Sequence, residues 1–212
     1  MMKKVLLLFI SIILLSLPFI GISQYYLHII IMILIWSFIY TSWSLVGRFR
    51  LTSLGHGAFM SMGAYGTGLL WNYAQLSPLI GIPLTLLFTA VIAIIISYAC
   101  FSFRIVGHYF ALATLALSEV TKLFIVATRD YTGGSLGLTP NPPNEVSELI
   151  SFQFSDRETF YYIALFAWIF GLIIWKIIDR SMIKFALEAI AEDEEASASG
   201  GIDVTISKMK LL

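Results

Sequence analysis

Long apolar runs separated by short polar stretches organise this chain. A helix that crosses a bilayer needs about 20 predominantly apolar residues, and six runs approach or exceed that length: 5–22, 25–46, 51–71, 78–103, 108–128 and 160–178. The first follows Lys3 and Lys4 and could pass for a secretory leader. No small-x-small cleavage site follows Leu17-Pro18-Phe19-Ile20, which favours an uncleaved span. Connections are short except for 129–157, where TGGSLG and Asn141-Pro142-Pro143-Asn144 argue against regular structure in the first half. The pattern predicts an all-α, polytopic helical membrane protein. Its transmembrane domain covers 1–180 with about six spans, and a polar segment covers 181–212.

Composition agrees. Of 212 residues 58% are hydrophobic and only 12% charged, and the mean hydropathy is +0.88. Soluble domains sit nearer half apolar and a quarter charged. A formal net charge of zero gives no case for a nucleic-acid partner. Cys100 is the one cysteine, so no internal disulfide can form, and in an apolar run it acts as a small hydrophobe. Three scattered His and one Cys make no metal-ligand spacing. No G-x-x-x-x-G-K-[ST] loop and no nucleophile–base set occurs. Neither catalytic residues nor cofactors are expected, and any ATP would be hydrolysed by another chain.

Lys and Arg placement sets the expected orientation. With the N-terminus in the cytoplasm, the inside receives Lys3, Lys4, Arg48, Arg50, Arg104, Lys176, Arg180, Lys184, Lys208 and Lys210. The outside receives Arg129 and Arg157, and Lys122 is intramembrane. A ten-to-two split follows the positive-inside rule. It also places 188–203 in the cytoplasm.

The third run, LTSLGHGAFMSMGAYGTGLLW, is less apolar than its neighbours. Gly55, Gly57, Gly63, Gly66 and Gly68 fall within fourteen residues, and a helix would align Ser53, Gly57, Ser61, Ala64 and Gly68 on one face. Such a stripe lets helix backbones approach closely in lipid. Two compatible readings stand: a packed internal helix, or a pathway-lining or broken helix facing a wet cavity. His56 either bonds a neighbouring helix or takes part in gating or substrate contact. Glu119 and Lys122 lie one turn apart and can pair. They either neutralise each other and fix the helix rotation, or mark a polar point on a translocation path. A third reading puts Glu119 nearer the interface. In the outer loop, Thr132, Gly133, Gly134 and Gly137 suit a tight turn, a nest of N–H groups for an anion, or a docking surface for an external protein. The acidic residues Glu145, Glu148, Asp156 and Glu158 read as solvated surface.

After the last run, 186–199 is rich in Ala and Glu, good helix formers. Gly200 and Gly201 then supply a left-handed stop. Ile183, Leu187 and Ile190 give a short apolar stripe, so 188–201 is expected to be one helical element.

Several segments resemble a known family. LTSLGHGAFMSMGAYGTGLL is similar to the L-S-L-G-H-A-A-F-x-x-x-G-A-Y segment, including Tyr65, of high-affinity branched-chain amino acid ABC permeases. Tyr109-Phe110-Ala111-Leu112-Ala113-Thr114-Leu115-Ala116 resembles their Y-F-A-(hydrophobic)-x-T-L-A segment. Thr132-Gly133-Gly134-Ser135-Leu136-Gly137-Leu138 resembles their T-G-G-x-x-G-L loop. Ala189-Ile190-Ala191-Glu192-Asp193-Glu194 through Gly201-Ile202-Asp203-Val204-Thr205 resembles their A-I-R-E-D-E…G-I-N-V-T stretch. All four follow the family's order over about 150 residues, and the set is closest to the M-type of the two paired permeases. Glu195-Ala196-Ser197 followed by Gly201 has the E-A-A-x-x-x-G spacing of importer coupling segments, with Ser for the second Ala. Other departures are Ala191 for Arg, Asp203 for Asn and Gly57 for Ala.

The resemblance implies a transport subunit of the cell membrane that carries branched-chain or related amino acids. Its implied partners are ABC ATPase subunits, a second permease subunit, an extracytoplasmic substrate-binding protein and the lipid bilayer. Glu188, Glu192, Glu195, Ala196 and Gly201 would couple to the ATPase. Gly55, His56, Gly57, Gly63, Tyr65, Glu119 and Lys122 would line the path or pack helices. Such permeases continue with further spans after the coupling segment, so this chain is expected to be a fragment or a truncated product. Two other readings stay open: a urea or short-amide ABC permease, and a membrane scaffold that recruits a different cytoplasmic partner.

Overall fold

Every regular element among the described residues is helical, the state in which a membrane segment satisfies its own backbone N–H and C=O groups. The computed structural model describes residues 14–141, 151, 152, 154 and 156–211. Its long helices are α1 (Gln24–Gly47), α2 (His56–Ala74), α3 (Pro78–Ser102), α4 (His108–Ala127) and α6 (Arg157–Asp179). A single turn, α5 (Arg129–Thr132), precedes a 3-10 turn at Gly134–Leu136. Three short helices close the chain: α7 (Met182–Glu192), α8 (Glu194–Ser199) and α9 (Val204–Met209). Among the described residues four helices, α1, α3, α4 and α6, are long and apolar enough to cross a membrane. The protein is therefore an all-α, polytopic membrane protein.

The apolar runs and the helices agree closely, with two exceptions. Of the first run, 5–22, only 14 onward is described. That part of the run closes in a 3-10 turn, Leu17–Ile20, stopped by Gly21 at φ 74°. The third run was expected to be helical from Leu51, but α2 begins at His56, and Leu51–Gly55 is irregular. Its 19 residues are less apolar than the four spans above. Short helical and 3-10 turns at 129–136 also replace the irregular structure expected there.

The contacts form two compact units, one of residues 14–41 with 154–173, the other of 42–153 with 174–211. In the first unit, Leu27, Ile31 and Leu34 recur at i, i+4 and i+7 on α1 and meet Tyr161, Ala164 and Leu165 of α6. Arg157 donates to the Gln24 carbonyl at 2.9 Å, near the start of both helices. Further along, Gly171 leaves room for Phe38, which would stand 2.9 Å from an added Cβ. The two helices therefore run in the same direction. Tyr161 is fully buried, and its hydroxyl donates to the Leu14 carbonyl at 2.6 Å, so the polar tip of this aromatic is satisfied.

In the second unit, α2 and α3 form an antiparallel hairpin. Gln75 ends α2 in the left-handed region, and the Ser77 side chain caps α3. Small residues bring the two backbones together: Gly66 lies against Thr85 and Gly81 against Thr67. The Thr67 and Thr85 hydroxyls meet at 2.9 Å. Lipid tails are as apolar as a Leu side chain, so close packing and such bonds, not hydrophobic transfer, hold this pair. At the other end of the hairpin, Leu45, Val46, Phe49, Leu51, Cys100, Phe101 and Phe110 form a core that Leu187 and Leu211 complete.

Candidate functional site

The irregular segment before α2 is held by side chains rather than by a ladder. Trp43 Nε1 donates to the Ser53 carbonyl at 2.9 Å. Leu54 N–H donates to Thr114 Oγ1 at 3.0 Å, and Ser118 Oγ donates to the Leu54 carbonyl at 3.0 Å. Ser53 Oγ takes the Gly55 N–H at 3.2 Å. These bonds replace the helical partners that 51–55 lacks, which is why the helix can start late. Gly55 is required by proximity: an added Cβ would sit 3.1 Å from Thr114 Cβ and 3.2 Å from its carbonyl oxygen. Two of the segments that carried the family resemblance thus dock on each other. Sequence alone assigns Thr114 and Ser118 no such role. Their i, i+4 placement as hydroxyls in an apolar span was the available signal.

His56 opens α2, and its Nδ1 is buried without a hydrogen-bond partner. The expected small-residue stripe divides in two. An added Cβ at Gly68 would press on Leu138 Cδ2 at 2.5 Å, so that position packs tightly. Gly57 and Gly63 meet nothing within 4 Å, and Ala64 is exposed. Ser53 lies outside the helix and does not share its face. Packing therefore runs through Gly66, Thr67 and Gly68, while Gly57 and Ala64 face open space. Tyr65 lines an apolar cavity of 320 Å³ with Met62, Phe88 and Phe124.

Glu119 and Lys122 form an ion pair at 3.3 Å on α4, with side chains 57% and 69% exposed. The buried residues of that helix, Phe110, Thr114 and Thr121, lie on its other side.

The TGGSLG loop is a closed turn. Gly133, Gly134 and Gly137 have φ of 74°, 58° and 83°, which only glycine adopts freely. An added Cβ at Gly133 would collide with the Gly137 carbonyl. Thr132 Oγ1 donates to the Ile125 carbonyl at 2.6 Å and accepts from Gly134 N–H at 3.1 Å. The N–H groups of Gly133, Leu136 and Gly137 bond to carbonyls within the loop and α5. These N–H groups are spent within the chain, so of the readings open for this loop the tight turn fits and the anion nest does not.

The 181–211 segment differs from its expectation twice. First, 188–201 is not one helix. Asp193 adopts an extended backbone, φ −150°, between α7 and α8. Its carboxylate accepts from the N–H groups of Glu195 and Ala196, both at 3.0 Å. Asp is a strong N-cap, so here it starts a new helix instead of continuing the old one. Second, the apolar stripe is not free. Leu187 and Ile190 are 1% and 5% exposed, and Ile183 and Leu187 pack into the core at the ends of α1, α3 and α4. Fully burying each such side chain stabilises by about 1.5–3 kcal/mol, which outweighs leaving the stripe free.

Charges fasten the same segment. Arg48 contacts Asp179 at 2.8 Å and Glu188 at 3.7 Å, and Lys184 contacts the same two at 3.4 and 3.8 Å. Arg48 and Lys184 thus share the two carboxylates between them. Lys208, 4% exposed, pairs with Glu194 at 2.7 Å and lies over the Phe101 ring. Arg50 reaches Glu192 at 3.9 Å, both exposed. Sequence alone gives Arg48 and Lys208 only their charge, because their partners lie 131 and 14 positions away. After α8, the Gly201 N–H bonds the Ala198 carbonyl and the Ile202 N–H bonds the Ser197 carbonyl. With Gly201 at φ 87°, this is a Schellman stop, as the sequence predicts. Glu195 and Ala196 are exposed. Glu195 joins Arg104, Ala198 and Thr205 around a cleft of 790 Å³ between the end of α3 and the segment α8–α9.

The family model described as the permease component of a branched-chain amino acid transport system matches residues 25–212. LivM, the permease protein of the high-affinity branched-chain amino acid transport system of Salmonella typhimurium, is 28% identical over 184 residues. That alignment covers 77% of this chain and 43% of LivM. The Escherichia coli LivM is 27% identical over 177 residues, covering 74% and 41%. The chain thus spans less than half the length of these relatives. No solved structure matches it.

Proposed function

Because this chain belongs to the family of permease components of branched-chain amino acid transport systems, we propose that it forms part of the membrane pathway of an ABC importer for branched-chain, hydrophobic amino acids. The family match across 25–212 carries this reading. It takes in α1 to α9 together.

In this reading the N-terminus and the segment α7–α9 are cytoplasmic, consistent with the Lys and Arg distribution. ABC ATPase subunits hydrolyse ATP, a second permease completes the pathway, and an extracytoplasmic binding protein delivers substrate. The exposed groups of α7 and α8, among them Glu192, Glu195 and Ala196, meet the ATPase. Glu188 and Gly201 act from behind that surface, Glu188 through Arg48 and Lys184, Gly201 by ending α8. A push on α8 reaches α3 through Glu194, Lys208 and Phe101. A push on α7 reaches the end of α1 through Glu188 and Arg48. From there Trp43 passes displacement to the irregular segment before α2.

The deciding experiment reconstitutes the full-length permease with its ATPases, partner permease and binding protein in proteoliposomes. ATP-driven uptake of radiolabelled leucine supports the proposal. Uptake of urea or acetamide in its place would select the short-amide reading, and no solute uptake at all the scaffold reading. Orientation is checked by cysteine labelling in a protein lacking Cys100. External labelling at position 208, or protection of position 141 from an external reagent, would sink the assigned topology.

A further inference from the structure

Glu119 and Lys122 are the only charged side chains in the middle of the described membrane helices. α1, α2 and α3 contain no Asp, Glu, Lys or Arg, and those of α6 lie at its ends. At 1.5 Å per residue, Glu119 stands about 16 Å from the start of α4 and about 12 Å from its end, deep within a hydrocarbon layer of about 30 Å. The pair points away from the buried face of α4 and is more than half exposed. Charges so placed are costly against lipid, so this face belongs to water or to protein. The same face carries Leu112, Leu115 and Val126, all exposed.

We infer that Glu119 and Lys122 form a docking point for a zwitterionic α-amino acid on the transport path, an assignment that rests on the transport reading above. Glu119 takes the substrate ammonium, Lys122 takes its carboxylate, and an aliphatic side chain lies along Leu112, Leu115 and Val126. The chemistry fits on two counts. An empty site is self-neutralised by the internal pair, and a bound zwitterion replaces one ion pair by two. Net charge inside the membrane is zero in both states, so loading needs no counterion. Urea and neutral amides offer no ammonium and no carboxylate, so they cannot make this exchange. Selectivity would then reside partly in the permease.

The test uses the reconstituted full-length complex with leucine as the probe. Glu119→Gln and Lys122→Met should each lower the maximal leucine uptake rate at least tenfold, with ATPase co-purification unchanged. The concentration giving half-maximal uptake, set by the binding protein, should not move. The double variant Glu119→Gln/Lys122→Met decides between roles. A pair that merely fixes the helix is replaceable by two neutral side chains, often without loss, so near-normal uptake in the double variant overturns the inference. Persistent loss, with normal folded yield, supports it. Leu115→Cys in a Cys100→Ser background gives a readout that keeps both charges. A water-soluble maleimide should label it, and millimolar leucine but not urea should slow the labelling. Failure to label, or equal slowing by urea, overturns the inference. Absence of leucine uptake by the wild-type complex removes the transport reading, and this inference with it.

Discussion

Between 125 and 141 the second unit is held by short hydrogen bonds and by glycines, whereas between 181 and 211 it is held by charges and an apolar core. In the first region Thr132 reaches carbonyls four and seven residues back, and Gly133 and Gly134 are pressed against backbone or Cβ atoms. Space and φ decide that shape, and solvent ions have little purchase on it. In the second region Arg48 meets Asp179 across 131 positions of sequence and Lys208 meets Glu194 across 14. Leu187 is sealed into a core drawn from α1, α3 and α4. A steric turn has one shape. A charged clamp can slip between partners, since Asp179 and Glu188 each serve both Arg48 and Lys184.

The contrast breaks first at Gly133. Gly133→Val combines a positive φ with a Cβ driven into the Gly137 carbonyl. It should destabilise the full-length protein by at least about 3 kcal/mol, seen as loss of folded yield in detergent. Near-normal yield would show that the loop is not sterically fixed. Next, Gly68→Leu should cost about 2 kcal/mol by overpacking against Leu138, while Gly57→Leu should leave thermal stability unchanged because nothing lies within 4 Å. Equal melting losses for both would restore a single packed stripe.

Smaller effects are expected at the charged end. Lys208→Met leaves Glu194 without its partner and should cost about 1–2 kcal/mol, less than a fully buried pair because Glu194 is partly solvated. Lys208→Met/Glu194→Gln should recover most of that loss in the same melting assay, and no recovery would remove the pair from the account. Gly201→Ala should cost about 1 kcal/mol, from backbone strain alone, since its Cβ would meet open space. Smallest of all is the response to salt. At about 1 M, where the Debye length is about 3 Å, hydrogen exchange should quicken modestly in 181–192 around the partly exposed Arg48 cluster and remain unchanged in 132–137. Equal quickening in both regions would erase the distinction.

The apolar runs of the sequence determined the membrane class and nearly every long helix, because a helix in lipid must satisfy its backbone within itself and so announces itself locally. The Schellman stop at Gly201 was legible for the same reason: it needs only one glycine and neighbours a few residues away. Tertiary structure decided the rest. Leu51–Gly55 leaves the helix because Trp43, Thr114 and Ser118, 10 to 64 positions away, supply its bonds. α7 and α8 separate because Asp193 caps a new helix, an option that Ala- and Glu-rich composition conceals. Ile183 and Leu187 turn inward because the ends of α1, α3 and α4 leave a core for them to fill. Helical propensity depends on a few neighbouring residues, but burial and ion pairing depend on which distant residues the fold brings within a few ångströms.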